Sequence, residues 1–163
     1  MSGDGNDAAP PDRIVIVGGG TCAGTAARTL REPASVLGVH TGAVDRPVET
    51  VLDLLGTLPA SSQVQAEHLR IRTDQVGTAY AAQTEEVAKA MLLAARTEGI
   101  VLDPVYTGRA MAGLVAAVAD GTISPGVCTV FVHTGGLPGL FGHPQAMARA
   151  ISAPPTKPTG VQR

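Results

Sequence analysis

Ile14-Val15-Ile16-Val17-Gly18-Gly19-Gly20-Thr21-Cys22-Ala23-Gly24 sets a β-branched run against three consecutive glycines and an alanine-rich stretch that continues to Leu30. β-Branched residues pack well on a pleated surface and glycine permits a tight turn, so the segment reads as strand, turn, helix. Such a turn aims free backbone N–H groups and the positive end of a helix at one point, where a phosphate fits. A tight turn that binds nothing is the plainer alternative. Gly18-x-Gly20-x-x-Ala23 also satisfies the loose form of the dinucleotide fingerprint. A dinucleotide site, however, wants an acidic residue after the second strand, and the sequence there is Val39-His40-Thr41.

The alternation continues downstream. Val36-Leu37-Gly38-Val39 is the next strand, Pro47 to Leu58 an amphipathic helix, and Leu69 to Arg72 a short strand with no assigned partner. Thr84-Glu85-Glu86 opens the clearest helix, with acidic residues at its positive end, Val87, Met91, Leu92 and Ala95 at helical spacing, and Gly99 as its stop. Ile100-Val101-Leu102 suits a buried strand or an extended linker. A further helix runs from about Gly108 to Asp120, and Val127 to His133 is a continuous apolar strand that ends in Thr134-Gly135-Gly136. Alternating strands and helices predict an α/β fold of three layers, a mostly parallel sheet covered on both faces, with ligands at the carboxyl ends of its strands. One domain is expected over 14–152, between disordered tails at 1–13 and 153–163.

With 163 residues the chain has the size of a single domain, and its 44% hydrophobic and 16% charged content is globular. A net charge of -2, 2% aromatic residues and no Trp argue against nucleic-acid binding, which needs a basic footprint and stacking platforms. The polar N-terminus has no apolar core of a signal peptide, and no apolar run is long enough to span a membrane. Cys22 and Cys128 show no metal-binding spacing, so a cytoplasmic location is expected.

Two later loops concentrate polar groups. In Asp103-Pro104-Val105-Tyr106-Thr107-Gly108-Arg109 the Asp-Pro pair suits a turn and Gly108 permits close approach of another group. Tyr106 there serves either a site or a buried ring that hydrogen-bonds a carbonyl. In His133-Thr134-Gly135-Gly136-Leu137-Pro138-Gly139-Leu140-Phe141-Gly142 a hydroxyl and flexible backbone follow the last strand, as a site or as a glycine-rich surface loop.

The text from Glu98 to Gly113, Glu98-Gly99-Ile100-Val101-Leu102-Asp103-Pro104-Val105-Tyr106-Thr107-Gly108-Arg109-Ala110-Met111-Ala112-Gly113, closely resembles the C-terminal signature of the D-cysteine desulfhydrase and 1-aminocyclopropane-1-carboxylate deaminase family. These are pyridoxal-phosphate enzymes of the tryptophan-synthase-β-like fold, known as fold type II. His133 to Gly142 resembles the family's final strand and loop, and Gly18 to Gly24 its phosphate loop, so the resemblance spans about Ile14 to Gly142 in matching order.

The resemblance implies that Gly18, Gly19, Gly20 and Thr21 cradle the phosphate of pyridoxal 5'-phosphate, and that Tyr106 is an active-site tyrosine. It places Tyr80 at the other substrate-side tyrosine, although the proline that usually follows is replaced around Ala82-Gln83. Thr107 stands where the cyclopropane deaminases carry a glutamate near the pyridine nitrogen and desulfhydrase-like members a threonine. Thr134 matches the other hydroxyl at that nitrogen, and the choice between the two stays open. A hydroxyl in place of a carboxylate favours the desulfhydrase-like branch.

The family places its Schiff-base lysine, the groups that grip the substrate and a small domain upstream of the glycine loop, where this sequence has Met1 to Arg13. Its lysines, Lys89 and Lys157, match no cofactor lysine and read as solvated. The expectation is therefore the C-terminal portion of a pyridoxal-phosphate-dependent deaminase or lyase acting on a small amino acid. A protein partner with the N-terminal half would complete it, and a homo-oligomer is the alternative assembly. Two alternatives stand beside it: a non-catalytic truncated paralogue that binds phosphate ligands or regulates a full-length relative, and a flavin or nicotinamide protein built on Gly18-x-Gly20. An exposed apolar face is expected of the first two.

Overall fold

The computed structural model describes residues 13–18, 36–57 and 64–152. The stretch Gly19 to Leu30 and the two tails, apart from Arg13, lie outside the described residues. Among the described residues four strands form one sheet in the order β3-β2-β1-β4: β1 (Arg13–Gly18), β2 (Val36–Val39), β3 (Arg70–Arg72) and β4 (Cys128–Val132). Every pairing is parallel, with Val17 opposite Gly38 on one side and opposite Val132 on the other. β3 lies beside β2, with Ile71 opposite Gly38, which supplies the partner that the short run after Leu69 lacked in the sequence reading.

Among the described residues five α-helices accompany the sheet: α1 (Pro47–Gly56), α2 (Glu85–Glu98), α3 (Thr107–Ala119), α4 (Leu137–Phe141) and α5 (Pro144–Ser152). α2 starts where the sequence placed it. The Thr84 hydroxyl accepts from the Val87 N–H, Glu85 and Glu86 sit in the positive first turn, and Gly99 closes the helix in the left-handed conformation. Its buried stripe is Val87, Ala90 and Ala94, turned slightly from the expected Val87, Met91, Leu92 and Ala95. Small alanines let α2 lie close to α3, where Val87 and Ala90 meet Ala112.

α3 carries the other core contact. Ala110 and Ala117 pack on Leu37 and Val39 of β2, with Ile123, Leu114 and Phe131 around them. Gly113 brings the helix down on the sheet, since a Cβ there would stand 2.6 Å from Val39 Cγ2. Alanine in place of glycine normally favours a helix by about 0.5–1 kcal/mol. Here the stiff β-branched Val39 cannot swing aside, and overpacking of about 1–3 kcal/mol outweighs that gain. Gly113→Ala is expected to lower the urea midpoint; a raised midpoint would mean that the helix stands off the sheet.

One alternative is settled and two expectations change. Ile100-Val101-Leu102 joins no strand and is an extended linker, with Leu102 buried and Val101 exposed. β4 is the edge strand of the sheet among the described residues and is not covered on both faces: Cys128 and Val130 are exposed while Phe131 packs on the core. The glycine-rich segment after Gly136 contains the short α4, followed by α5, and is not wholly a loop. Among the described residues no helix is long and apolar enough to cross a membrane.

The turn after α3 is tied to β3. Arg72 Nη1 donates to Asp120 Oδ2 at 2.7 Å, and the Thr122 hydroxyl donates to Asp120 Oδ1 at 2.6 Å. Thr122 first and Arg72 second hold the Asp120 carboxyl at about 2, below its ordinary 3.8. A depressed carboxyl contributes stability above its unfolded pKa and loses it as pH falls through the folded value. The melting temperature should therefore fall between about pH 4 and 2, and Asp120→Asn should flatten that part of the profile.

Candidate active site

β1 ends at Gly18 on the same edge from which His133 to Gly136 leaves β4, because the two strands pair in parallel with Val17 beside Val132. Gly19, Gly20 and Thr21 lie outside the described residues. α3 starts at this edge, and its approach is built on one carboxylate. Asp103 is fully buried; its Oδ2 accepts from the N–H groups of Val105 (2.9 Å) and Tyr106 (2.8 Å), and its Oδ1 from the Thr107 N–H (2.8 Å) and hydroxyl (2.6 Å). Pro104, between them, has no N–H to leave unpaired. An anion at the positive end of α3, with four donors turned on it, is satisfied without a cation.

Asp103 also joins the two loops. Gly136, at φ 108°, passes so close that a Cβ there would stand 2.5 Å from Asp103 Oδ1. Only glycine combines that dihedral with that approach. A Cβ on Gly108 would stand 2.5 Å from the Asp103 carbonyl, the close approach read from the sequence. His133 fastens the other side of the loop. Its Nδ1 accepts from the Gly135 N–H at 3.1 Å, which leaves the proton on Nε2 to donate to the Val101 carbonyl at 3.0 Å.

On this frame stand the two tyrosines, the whole tyrosine content of the chain. Tyr80 and Tyr106, 26 residues apart, meet hydroxyl to hydroxyl at 2.6 Å, and both are exposed. The hydrogen bond to Tyr80 is the main reason that the Tyr106 phenol holds its proton above the ordinary tyrosine range, with desolvation and the Asp103 charge adding to it. The threonines are placed differently. Thr107 is fully buried, its hydroxyl donating to Asp103 Oδ1 and accepting from the Asp103 N–H at 3.0 Å. Thr134 is exposed, beside Gly135, at which an added Cβ would meet nothing within 4 Å.

The edge therefore offers two phenols, a threonine hydroxyl and glycine-rich backbone, while the Asp103 carboxylate is spent on backbone donors. Such a neutral set fits a phosphorylated pyridine ring whose nitrogen meets a hydroxyl. An apolar cavity of about 510 Å³, lined by Met91, Leu92, Leu140 and Ala146 among others, includes neither tyrosine, so volume alone does not mark this chemistry. Among the described residues no acidic, histidine or cysteine cluster could hold a metal.

Residues 6–135 match the family of pyridoxal-phosphate dependent enzymes. The chain belongs to that family. It is 36% identical over 136 residues to a D-cysteine desulfhydrase of Klebsiella pneumoniae (strain 342), covering 80% of this chain and 42% of the relative. A D-cysteine desulfhydrase of Klebsiella pneumoniae subsp. pneumoniae is 35% identical over 149 residues, covering 84% and 44%. The crystal structure of an ACC deaminase homologue superposes with a TM-score of 0.65 at 26% identity, over 88% of this chain and 45% of that one. The chain thus spans less than half the length of these relatives, and its small parallel sheet with helices is a fragment of the pyridoxal-phosphate enzyme fold.

Among the residues that the family resemblance had singled out, the structure brings Tyr80 and Tyr106 into contact, sets Thr134 near the same edge and turns Thr107 inward. Lys89 lies exposed on α2, and Lys157 is outside the described residues. Sequence reading missed the role of Asp103, seen there only as a turn former. The signal was an Asp-Pro pair four residues before a threonine at a helix start.

Proposed function

We propose that this chain is the C-terminal, cofactor-binding portion of a pyridoxal-phosphate-dependent lyase or deaminase acting on a small amino acid, of the D-cysteine desulfhydrase type. The lysine that holds the cofactor, and the groups that grip the substrate carboxylate, would come from polypeptide outside this sequence. The observation that carries the reading is the Tyr80–Tyr106 pair, 2.6 Å between hydroxyls, on the carboxyl edge of a parallel sheet next to a glycine-rich loop. Ligand sites in such sheets gather at that edge.

Bound pyridoxal phosphate would supply an electron sink for a substrate's α-carbon. In this chain Gly18, Gly19, Gly20 and Thr21 would hold its phosphate through backbone N–H groups and a hydroxyl. Of the two threonines we assign the pyridine nitrogen to Thr134, because the Thr107 hydroxyl is buried against Asp103. A neutral hydroxyl there favours the desulfhydrase-like branch over the deaminase-like one. Tyr106, protonated at neutral pH and joined to Tyr80, can give a proton to a departing sulfur or take up the substrate's polar groups, with Tyr80 relaying the proton.

The chain's two tyrosines and lack of Trp make its intrinsic emission a probe of this site alone. Titration with pyridoxal phosphate should quench that emission saturably, beyond the loss shown by a free tyrosine amide, and inorganic phosphate should reverse it. Quenching no greater than that of the free amide would remove the cofactor from this edge.

A further inference from the structure

The loop that carries Tyr80 is held by a cation that no acid among the described residues balances. Arg109, in the first turn of α3, is fully buried in an otherwise apolar stretch. Its guanidinium donates from Nη1 to the Thr41 carbonyl, just past β2, and from Nη2 to the carbonyls of Ala79 (3.2 Å) and Ala82 (2.8 Å). Among the described residues no carboxylate pairs with it, and its buried Nε has no partner. Gly42 and Gly77 border the guanidinium, where added Cβ atoms would stand 3.2 Å from Nη1 and 3.6 Å from Nη2. Burial of an unpaired guanidinium is costly, so a chain that keeps one is expected to use the geometry it imposes.

That geometry brackets Tyr80. Arg109 grips the carbonyls of residues 79 and 82, and His143, just before α5, donates from Nε2 to the Ala81 carbonyl at 2.8 Å. The Ala146 N–H bonds the other ring nitrogen of His143, which fixes the proton on Nε2. Between these grips Ala81 adopts φ 61°, the only left-handed non-glycine residue among the described ones. Such a conformation persists only where its surroundings enforce it. We infer that Arg109 and His143 are positioning residues: together they clamp the 79–82 loop and hold the Tyr80 hydroxyl against Tyr106. The meaning of the clamp for turnover rests on the function proposed above, but the clamp itself can be tested without cofactor.

The readout is the tyrosinate absorbance of the full chain against pH, to which only Tyr80 and Tyr106 contribute. The groups that face the pair are Asp103 beside Tyr106, Arg109 beside Tyr80, and His143 on the loop carbonyl. In the parent chain the Tyr106 phenol should ionise late. In Arg109→Met, with helix content checked by circular dichroism, that late step should move down toward an ordinary tyrosine. His143→Leu leaves the cation in place, so a smaller shift in the same direction there reads position and not charge. Should Arg109→Met fail to fold, His143→Leu decides alone. Folded variants that keep the parent titration would overturn the clamp, whatever pyridoxal phosphate does to the emission.

Discussion

Replacing Asp103 with alanine is expected to cost about 4 kcal/mol or more of folding stability, because it leaves three buried or half-buried N–H groups and a buried hydroxyl without their acceptor, each worth roughly 1–3 kcal/mol when orphaned. An ordinary helix cap is worth only about 1 kcal/mol, so the size of the loss separates a shared anchor from a routine cap. The loss would be a large fraction of the roughly 5–15 kcal/mol that holds a domain folded. Asp103→Asn keeps one acceptor oxygen and should fall between. Urea unfolding of the three proteins at constant slope gives the comparison. A cost near 1 kcal/mol for alanine would mean that the loops at the sheet edge do not depend on this carboxylate.

In the completed enzyme, Tyr106→Phe should lower kcat/KM by about 10²-fold or more, the usual contribution of a positioned proton donor. Stability should hardly change, because the phenol is exposed and its ring would remain. The split is diagnostic: Asp103→Ala removes fold and activity together, whereas Tyr106→Phe removes activity from a folded chain. Since its bond to Tyr80 holds the Tyr106 proton above the ordinary tyrosine range, the donor stays competent through neutral and mildly alkaline pH, and activity that depends on it is lost only above that range. A Tyr106→Phe enzyme with parental kcat/KM would reduce the pair to a surface contact.

Much of the frame was legible in the sequence because its signals are local. Thr84 before two glutamates, Gly99 after a helical run, and the β-branched residues of β1 each announce an element within a few residues. The helix α5 was legible as well: Pro144 suits a first turn, and Ala146, Met147, Ala150 and Ile151 follow at helical spacing. The sequence reading passed over it. The depth of β4 was not legible, since an apolar run reads the same at the edge of a sheet as at its centre. Tyr80 and Tyr106 came from family resemblance, as nothing local ties two residues 26 apart. The clamp is harder still: Arg109 bonds a carbonyl 68 residues before it, and His143 one 62 residues before it. Carbonyls leave no trace in sequence. The available hint was a lone arginine in Gly108-Arg109-Ala110-Met111-Ala112, an apolar setting that a solvated charge would avoid.

The central proposal is that this chain supplies half of a working pyridoxal-phosphate site. The most direct measurement mixes it with the upstream portion of a Klebsiella pneumoniae D-cysteine desulfhydrase, the part beyond the matched region, and with pyridoxal phosphate, and follows sulfide release from D-cysteine. Release is expected to need both polypeptides and to fall at least about 10²-fold with Tyr106→Phe. A complex that forms and binds the cofactor but releases no sulfide, or one indifferent to Tyr106, would contradict it.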